Sequence, residues 1–490
     1  MKLKIVLPAL ALTTAVLCYY FRPVGSLPEA AVLSEPPPLS FAPHTAENAF
    51  SFDLLRQVAK ADTGNLCLSP WSAQMALSLN GCGARGDTAL SFQKVLHLGA
   101  TPEACLDFVS QGRAWEEQMI ACAGAQGREK QQLQSELAEL ESQLSRLKRR
   151  ISDTYDDQRV RADRINLIRS QLQRFDFAAA EALFLQKGLK LESPVEDAFK
   201  SRRIELQRVD FKGDPEGSRQ HLNDWGAKAT RGLIPAVLPP GSVRPITRMA
   251  LAQAVYFKGA WTRPFSLHAT ETQPFFASGG DSFCHLMQQT GSYKYAWISR
   301  SGQALPPPAP APYDPDPKSK IYPEHGFHLV EMPYKGERLS LVLVTSIDAV
   351  DHSALEPFLT ADNFAAWLAA SRDTLLDLRV PRYRIAGASR DLSPALRSLG
   401  LDAAFTDKAD FSGFTRDEFL CLDQVWQQTL IEVDEKGAVA AAVTMSNMKC
   451  SEAKSFDKQP EFRADRPFWY FLRDRQSGVI LFCGRVSRPE

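Results

Sequence analysis

The sequence has no net charge, because its 490 residues include 57 Lys and Arg and 57 Asp and Glu. A chain without an excess of either sign has no overall field that would draw it to a polyanion. We therefore expect no nucleic-acid partner. A basic cluster at Arg146, Lys148, Arg149 and Arg150 is mixed with glutamates and reads best as a solvated helix face, so polyanion binding is not expected either.

Paired cysteine spacing is also missing. The nine cysteines are scattered along the chain, without the short repeats that hold zinc or the regular pattern of a disulfide framework. Several lie in apolar segments, where a thiol packs as a small hydrophobic side chain. No metal site is predicted.

The common catalytic motifs are absent. The sequence contains no Gly-x-Ser-x-Gly elbow, no Gly-Lys-Ser or Gly-Lys-Thr phosphate loop, no Cys-x-x-Cys and no His-Glu-x-x-His. We expect neither an enzyme nor a cofactor. His325 and His328 are close in sequence, and we expect them to be solvated or capping histidines at a loop edge.

The N-terminus has the pattern of an export signal. Met1-Lys2-Leu3-Lys4 is followed by an apolar run over residues 5–21. That run is close to the ~17 residues that span a bilayer, so residues 1–24 are a signal peptide or an uncleaved membrane anchor. The Pro-rich residues 25–45 read as a tether before a globular region over 46–490. We predict a secreted or extracytoplasmic protein.

Residues 113–172 form a charged, Gln-rich segment that predicts a coiled-coil-like insertion. Apolar residues alternate four and three apart through residues 133–151, which is heptad spacing. They are Leu133, Leu137, Leu140, Leu144, Leu147 and Ile151. Two interpretations stay open: an antiparallel helical hairpin that packs on itself, which we favour, and self-association through the 133–151 heptads.

The rest of the chain mixes α and β segments without a regular βαβ repeat, which indicates the α+β class. A proline tract within residues 301–323 predicts a surface loop, since proline at that density cannot pair in a sheet.

Five sets of motifs, in order over most of residues 48–489, resemble the serpin family of protease inhibitors. They are Asn-Leu-Cys-Leu-Ser-Pro-Trp-Ser at 65–72 with Gly-Ala-Arg-Gly-Asp-Thr at 83–88, Thr-Arg-Gly-Leu-Ile at 230–234, Ala-Val-Tyr-Phe-Lys-Gly-Ala-Trp at 254–261, Ala-Asp-Phe-Ser-Gly at 409–413, and Phe-Arg-Ala-Asp-Arg-Pro-Phe-Trp-Tyr at 462–470. The resemblance implies three β-sheets with surrounding helices and an exposed reactive centre loop. It also implies that residues 113–172 and 301–323 are insertions into one domain.

The resemblance also implies a mechanism. The protein acts as a suicide substrate. A target serine protease, or a papain-like cysteine protease, cuts the loop, and the freed segment enters a sheet as a new strand. The hinge residues are Glu435, Gly437, Ala438, Ala440, Ala442 and Thr444. In a strand, the even-numbered positions from 438 to 444 point to one face, and their small side chains suit rapid entry into a sheet.

Sequence positions that resemble the family's sheet-opening region are Ser69, Ser72, Gln253, Trp261 and Gln427. Gln253 and Gln427 stand where the family usually has an asparagine and a histidine. Amides still donate and accept hydrogen bonds, but a titratable group is lost at position 427.

The position of the cleaved bond depends on the count. Counting forward from the hinge gives Ser451–Glu452, and counting back from Pro467 gives Phe456–Asp457. Lys449 and Lys454 lie nearby and suit a trypsin-like pocket. The alternative function is a non-inhibitory family member that acts as a carrier, chaperone or interaction protein.

Overall fold

The computed structural model describes residues 45–99, 103–122, 127–147, 175–201, 204–230, 236–277, 279–305, 325–347, 352–386, 389–435 and 460–489, with residues 161, 162, 164, 165, 168 and 232. Several predictions fall outside these residues. They concern the signal or anchor at 1–24, nearly all of the tether at 25–45, the proline tract at 306–312, the hinge beyond Glu435 and the candidate cleavage positions Lys449, Ser451, Glu452, Lys454 and Phe456.

Nine α-helices are found in the described residues. They are α1 (Thr45–Ala61), α2 (Pro70–Gly81), α3 (Gly86–Val95), α4 (Ala104–Cys122), α5 (Gly127–Leu147), α6 (Ser193–Ser201), α7 (Pro215–Ala229), α8 (Ala361–Ala370) and α9 (Ser393–Leu396). None of the helices in the described part of the chain is long and apolar enough to cross a membrane.

Seventeen strands accompany these helices in the described residues. They are β1 (Leu66–Leu68), β2 (Phe175–Gln186), β3 (Glu205–Val209), β4 (Met249–Gly259), β5 (Glu271–Phe275), β6 (Ser282–Ile298), β7 (Ala304–Leu305), β8 (Phe327–Pro333), β9 (Leu339–Ser346), β10 (Arg372–Pro381), β11 (Tyr383–Ala386), β12 (Arg390–Asp391), β13 (Trp426–Gln427), β14 (Leu430–Val433), β15 (Glu461–Arg463), β16 (Phe468–Asp474) and β17 (Ile480–Val486).

The largest sheet has ten strands and is held together by the long strand β6. Its order is β1-β17-β16-β9-β8-β6-β10-β15, and β5 and β7 also pair with β6. The first residues of β6 pair with β5 and its last residues pair with β8, so β6 joins two halves of the sheet. Strands β9, β16 and β17 are almost entirely buried, which matches their continuous apolar sequences.

Gly484 lets β1 approach β17. A Cβ atom at this position would lie 1.9 Å from the carbonyl oxygen of Leu66, so no other residue fits without moving the strand. The two strands pair antiparallel, with Cys67 opposite Gly484.

Two smaller sheets lie apart from the large one. Strands β3, β2 and β4 form a three-stranded sheet in that order, and β11 pairs with β14 in a two-stranded sheet. Strand β2 runs parallel to β3 and antiparallel to β4. A further short pair, β12 with β13, lies just before β14 in the chain.

Helix α2 lies in the interior, and all of its residues except Ala76 are buried. The side chain of Ser69 caps its first turn by accepting a hydrogen bond from the Ser72 amide at 3.3 Å. Pro70 stands at the first helical position, where the missing N–H costs no hydrogen bond. The Ser-Pro pair therefore fixes the start of this helix.

The beginning of the predicted insertion belongs to the core. Residues 113–122 are the second half of α4, and Trp115 on this half is fully buried. Its ring lies 4.8 Å from the ring of Trp71, and its Nε1 donates to Asp474 at 2.9 Å. In the sequence, the charged residues around Trp115 obscured this apolar contact. Residues 113–122 are therefore part of a core helix, not of a separate coiled coil.

Helix α5 contains the predicted heptads up to Leu147. Leu133, Leu137, Leu140 and Leu144 are all half-buried, while Ile165 and Ile168 of the second apolar run are buried. A helix at the heptads is therefore observed. The antiparallel hairpin and the self-association remain predictions.

Two further expectations need correction. His328 is not at a loop edge: it lies within β8, is 6% exposed and contacts Phe462, with 4.4 Å between ring centroids. Strand β8 is buried on both faces, with only Pro333 partly exposed, and this places the histidine in the interior. The first five residues of the predicted loop 301–323 also have structure, since they form a turn and then β7.

Candidate functional site

Strands β4 and β14 lie next to each other without pairing. They belong to separate sheets, and no backbone ladder joins them in the described residues. The residues that follow β4 contact the residue that follows β14, and the first residues of β4 line a cavity together with the segment that leads into β14. The two strands therefore run in the same direction and leave a gap between them.

Trp261 closes the gap where β4 and β14 end, which we call its upper end; the lower end is where the two strands begin. Its Nε1 donates to the carbonyl oxygen of Asp434 at 2.8 Å, which ties the end of β14 to the chain beyond β4. The indole stacks on the ring of Tyr334, with 4.3 Å between centroids and 14° between planes. Trp261 is 1% exposed, so this hydrogen bond is shielded from water.

Glu435 is the last described residue before the loop and is held firmly. Its backbone oxygen accepts from the Phe265 amide at 2.8 Å, and its carboxylate accepts from the Thr270 hydroxyl at 2.8 Å and from the Arg382 guanidinium. Burial alone would raise the pKa of Glu435. The hydrogen bonds from Arg382 and Thr270 and the charge of Arg382 outweigh burial and lower the pKa below its usual value of 4.5.

At the lower end of the gap, the side chain of Gln427 ties the chain before β14 to the start of α2. Its Oε1 accepts from the Ser69 amide at 3.0 Å, and its Nε2 donates to the Ser69 carbonyl at 2.8 Å. The amide thus pairs with one residue as a neighbouring strand would. Two residues further on, the Thr429 hydroxyl donates to the Cys67 carbonyl at 2.8 Å.

The structure brings together three of the predicted sheet-opening residues and separates a fourth. Gln427, Ser69 and Ser72 meet at the start of α2, whereas Trp261 lies at the opposite end of the gap. Gln253 is on β4, and its side chain is outside the described part. Thr270, Arg382 and Thr429 were missed because their partners are more than 50 residues away in sequence.

The far end of the loop is anchored in the ten-stranded sheet. Strand β15 begins at Glu461 and pairs parallel with β10, with Phe462 opposite Leu378. Phe462 is fully buried against His328, and burial lowers the pKa of His328 to about 3, so this ring is neutral. The loop therefore leaves a two-stranded sheet beside the gap and returns to a different sheet.

Comparisons with known proteins agree with this arrangement. The family described as "Serpin (serine protease inhibitor)" matches residues 45–489. Human Serpin B8 is 33% identical over 59% of this chain and 70% of its own length. Human Serpin B3 is 29% identical over 91% of this chain and 98% of its own length.

A solved structure shows the same fold. The crystal structure of mouse protein-Z dependent protease inhibitor superposes with a TM-score of 0.66, at 19% identity, over 91% of this chain and 96% of that chain.

The chain belongs to the serpin family. The predicted α+β serpin fold is confirmed. Membership of this family also supports the expectation that the protein is not an enzyme. In this chain the long strand β6 merges two of the expected sheets, and the gap between β4 and β14 divides the third.

Proposed function

We propose that this protein inhibits a protease as a suicide substrate, with the loop after Glu435 entering the gap between β4 and β14. The observation that supports the proposal is the gap itself: two strands that run in the same direction, side by side and unpaired in the described residues. A strand that leaves the end of β14 and reverses runs antiparallel to both neighbours. Antiparallel pairing on both sides would satisfy the backbone groups of both edges.

The chemistry requires only a protease and the loop. The catalytic serine or cysteine of the protease attacks the carbonyl carbon of the residue before the cut, proposed as Ser451. The Ser451–Glu452 bond breaks, the amine of Glu452 takes a proton and leaves, and an ester or thioester joins the two proteins. Insertion carries the attached protease along with the loop and distorts the active site of the protease before water hydrolyses that bond. Lys449, Lys454 and Phe456 are the alternative cut positions.

Small side chains let the loop enter. Ala438, Ala440, Ala442 and Thr444 would face the interior in an inserted strand, whereas the odd-numbered residues would face outward. This alternation gives a matched pair of variants: Ala442→Arg places a charge in the interior, and Ala441→Arg places the same charge on the outer face.

The experiment uses the chain from residue 25 onward, incubated with a trypsin-like, an elastase-like and a papain-like protease. A covalent complex that survives boiling in detergent, together with the mass of the released C-terminal peptide, tests the mechanism and locates the cut. The wild type and Ala441→Arg should form the complex, and Ala442→Arg should be cleaved without one. Cleavage of all three proteins without any complex would favour the carrier, chaperone or interaction role.

We further propose that the segment after Cys122 is a helical hairpin. Arg164 Nε donates to Glu136 Oε1 at 2.7 Å, and Arg161 Nε contacts Gln143 Oε1 at 3.4 Å. From the first contact to the second, the residue number rises from 136 to 143 in one partner and falls from 164 to 161 in the other, as it does in an antiparallel pair. This contact pattern supports packing of the segment on itself.

Export of the protein is also proposed, on the sequence of residues 1–24 alone. Expression of the full chain with fractionation of the cells, and N-terminal sequencing of any external product, would distinguish a cleaved signal peptide from an anchor through residues 5–21.

A further inference from the structure

A large cavity lies at the lower end of the gap. Its volume is about 450 Å³, and its walls are formed by α2, α7, the start of β4 and the segment 419–427. Cavities of about 300–1,000 Å³ are typical of small-molecule sites. The cavity is therefore large enough for a ligand with two or three rings.

The wall of this cavity is mainly apolar. Among its apolar side chains are Trp225, Leu238, Phe405, Phe411, Leu420 and Trp426. Two more apolar side chains lie in its wall and remain exposed to solvent, Ile246 at 69% and Phe419 at 59%. Exposed side chains of this size beside an apolar chamber favour an apolar occupant.

One side of the cavity carries three arginines, which are Arg244, Arg248 and Arg397. Each of them already pairs with one carboxylate, that of Asp423, Glu418 and Asp402 respectively. A second cavity of about 380 Å³ shares Arg244, Arg397 and Asp423 with it and adds one more carboxylate, Asp391. This second cavity, the polar annex, opens from the first cavity, the apolar chamber, at Arg244 and Arg397.

Arg244 retains capacity for another acceptor. Within the described residues its side chain donates only to Asp423, through Nε and Nη2, so its Nη1 group is not used in these bonds. The side chain is 57% exposed, and a pair at that exposure is weak. Arg397 lies with its guanidinium carbon 4.3 Å from the centre of the Phe405 ring, at the junction of chamber and annex.

We propose that this cavity binds an amphipathic anion, with its apolar body in the chamber and its carboxylate or sulfonate head at Arg244 and Arg397. The apolar wall selects the body, and the guanidinium nitrogens that Arg244 and Arg397 do not use in their carboxylate pairs within the described residues donate to a charged head. A cationic or strongly polar molecule would lose its hydration without replacement in the chamber.

A matched pair of fluorescent probes tests this site on the intact protein, without any protease. 8-Anilinonaphthalene-1-sulfonate and N-phenyl-1-naphthylamine share the same apolar body, and only the first carries a sulfonate. We expect one saturable site per chain, with the sulfonate probe binding more tightly.

Three variants separate the contributions. Arg244→Gln should weaken the sulfonate probe about threefold and leave the neutral probe unchanged, as expected for one exposed ion pair. Asp423→Asn should tighten the sulfonate probe, because it removes a competing carboxylate. Ala76→Leu, in the wall of the chamber, should weaken both probes. Arg263→Gln, at a surface arginine outside the cavity wall, is the control and should change neither.

Equal affinity for both probes, an unchanged affinity in Arg244→Gln, or the absence of saturable binding would overturn the proposal. The arginine and aspartate variants lie at the surface, so they decide the question even if Ala76→Leu does not fold.

Discussion

The amide of Gln427 should contribute measurably to the stability of the native state. Gln427 is 9% exposed and forms two hydrogen bonds with the backbone of Ser69, at 3.0 and 2.8 Å. Gln427→Ala removes both bonds and leaves the buried N–H of Ser69 unsatisfied, whereas the Ser69 carbonyl keeps its bond from the Ala73 amide at 3.1 Å. Thr429 still bonds to Cys67, so β14 keeps one attachment at this end.

The size of the effect follows from what replaces the amide. An unsatisfied buried polar group costs about 1–3 kcal/mol. A cavity of about 310 Å³ beside Gln427, Cys67 and Thr429 is large enough to admit water to the vacated site, which lowers the cost. We expect a loss of about 2 kcal/mol in total, which corresponds to roughly 30-fold in an equilibrium or rate constant.

The assay is the rate of unfolding in urea followed by tryptophan fluorescence. Gln424→Ala is the matched control, because it deletes the same amide three residues earlier at an exposed position and should change stability by less than about 0.5 kcal/mol. Gln427→Glu adds a second test, since a carboxylate accepts from the Ser69 amide but cannot donate to its carbonyl. It should be no more stable than Gln427→Ala at neutral pH.

Equal unfolding rates for Gln427→Ala and Gln424→Ala would refute this reasoning. That result would mean that the side-chain pairing with Ser69 contributes nothing to holding the lower end of the gap.

Three other predictions concern the upper end, the buried histidine and the heptads. The pKa of Glu435 is lowered in the folded protein, so its contribution to stability is present above pH 4.5 and is lost as the pH falls below that value. Glu435→Gln should unfold faster than the wild type at pH 7, and the difference between the two unfolding rates should narrow in acid. The pKa of His328 is about 3 in the folded protein, against 6.5 in the unfolded chain, so below pH 6.5 the unfolded state binds a proton that the folded state does not. The free energy of unfolding of the wild type should therefore fall by about 1.4 kcal/mol per pH unit below 6.5, and that of His328→Phe should not show this loss. Parallel pH profiles of stability for the two proteins would contradict this. Sedimentation should show a monomer if the heptads pack within one chain, and a wild-type dimer that Leu137→Lys dissociates would favour self-association instead.

The sequence predicted the parts of the fold that depend on local patterns. Short apolar runs at 339–345 and 469–473 predict strands, and the structure has β9 and β16 there, all of whose residues except Arg473 are buried. Ser69 and Pro70 were singled out only as part of the motif at 65–72, although their capping chemistry is local and acts within the first turn of α2.

Features that depend on distant contacts were not predictable from local patterns. Residues 113–122 look like the charged segment that follows them, and only Trp71 and Asp474, both far away in sequence, show that Trp115 is a core residue. The site also contains residues of both kinds. Trp261 and Gln427 were predicted from the resemblance to the family, whereas Arg382 was identified only by its contact with Glu435 in the structure.

Cleavage of the loop, followed by measurement of thermal stability, tests the central proposal most directly. Insertion of about a dozen residues between β4 and β14 would add on the order of 20 backbone hydrogen bonds at about 1 kcal/mol each. For a domain of this size that corresponds to an increase of about 20 °C in the unfolding temperature. The proposal predicts this increase in the cleaved wild type and a much smaller one in cleaved Ala442→Arg, whereas an unchanged unfolding temperature after complete cleavage of the wild type would contradict it.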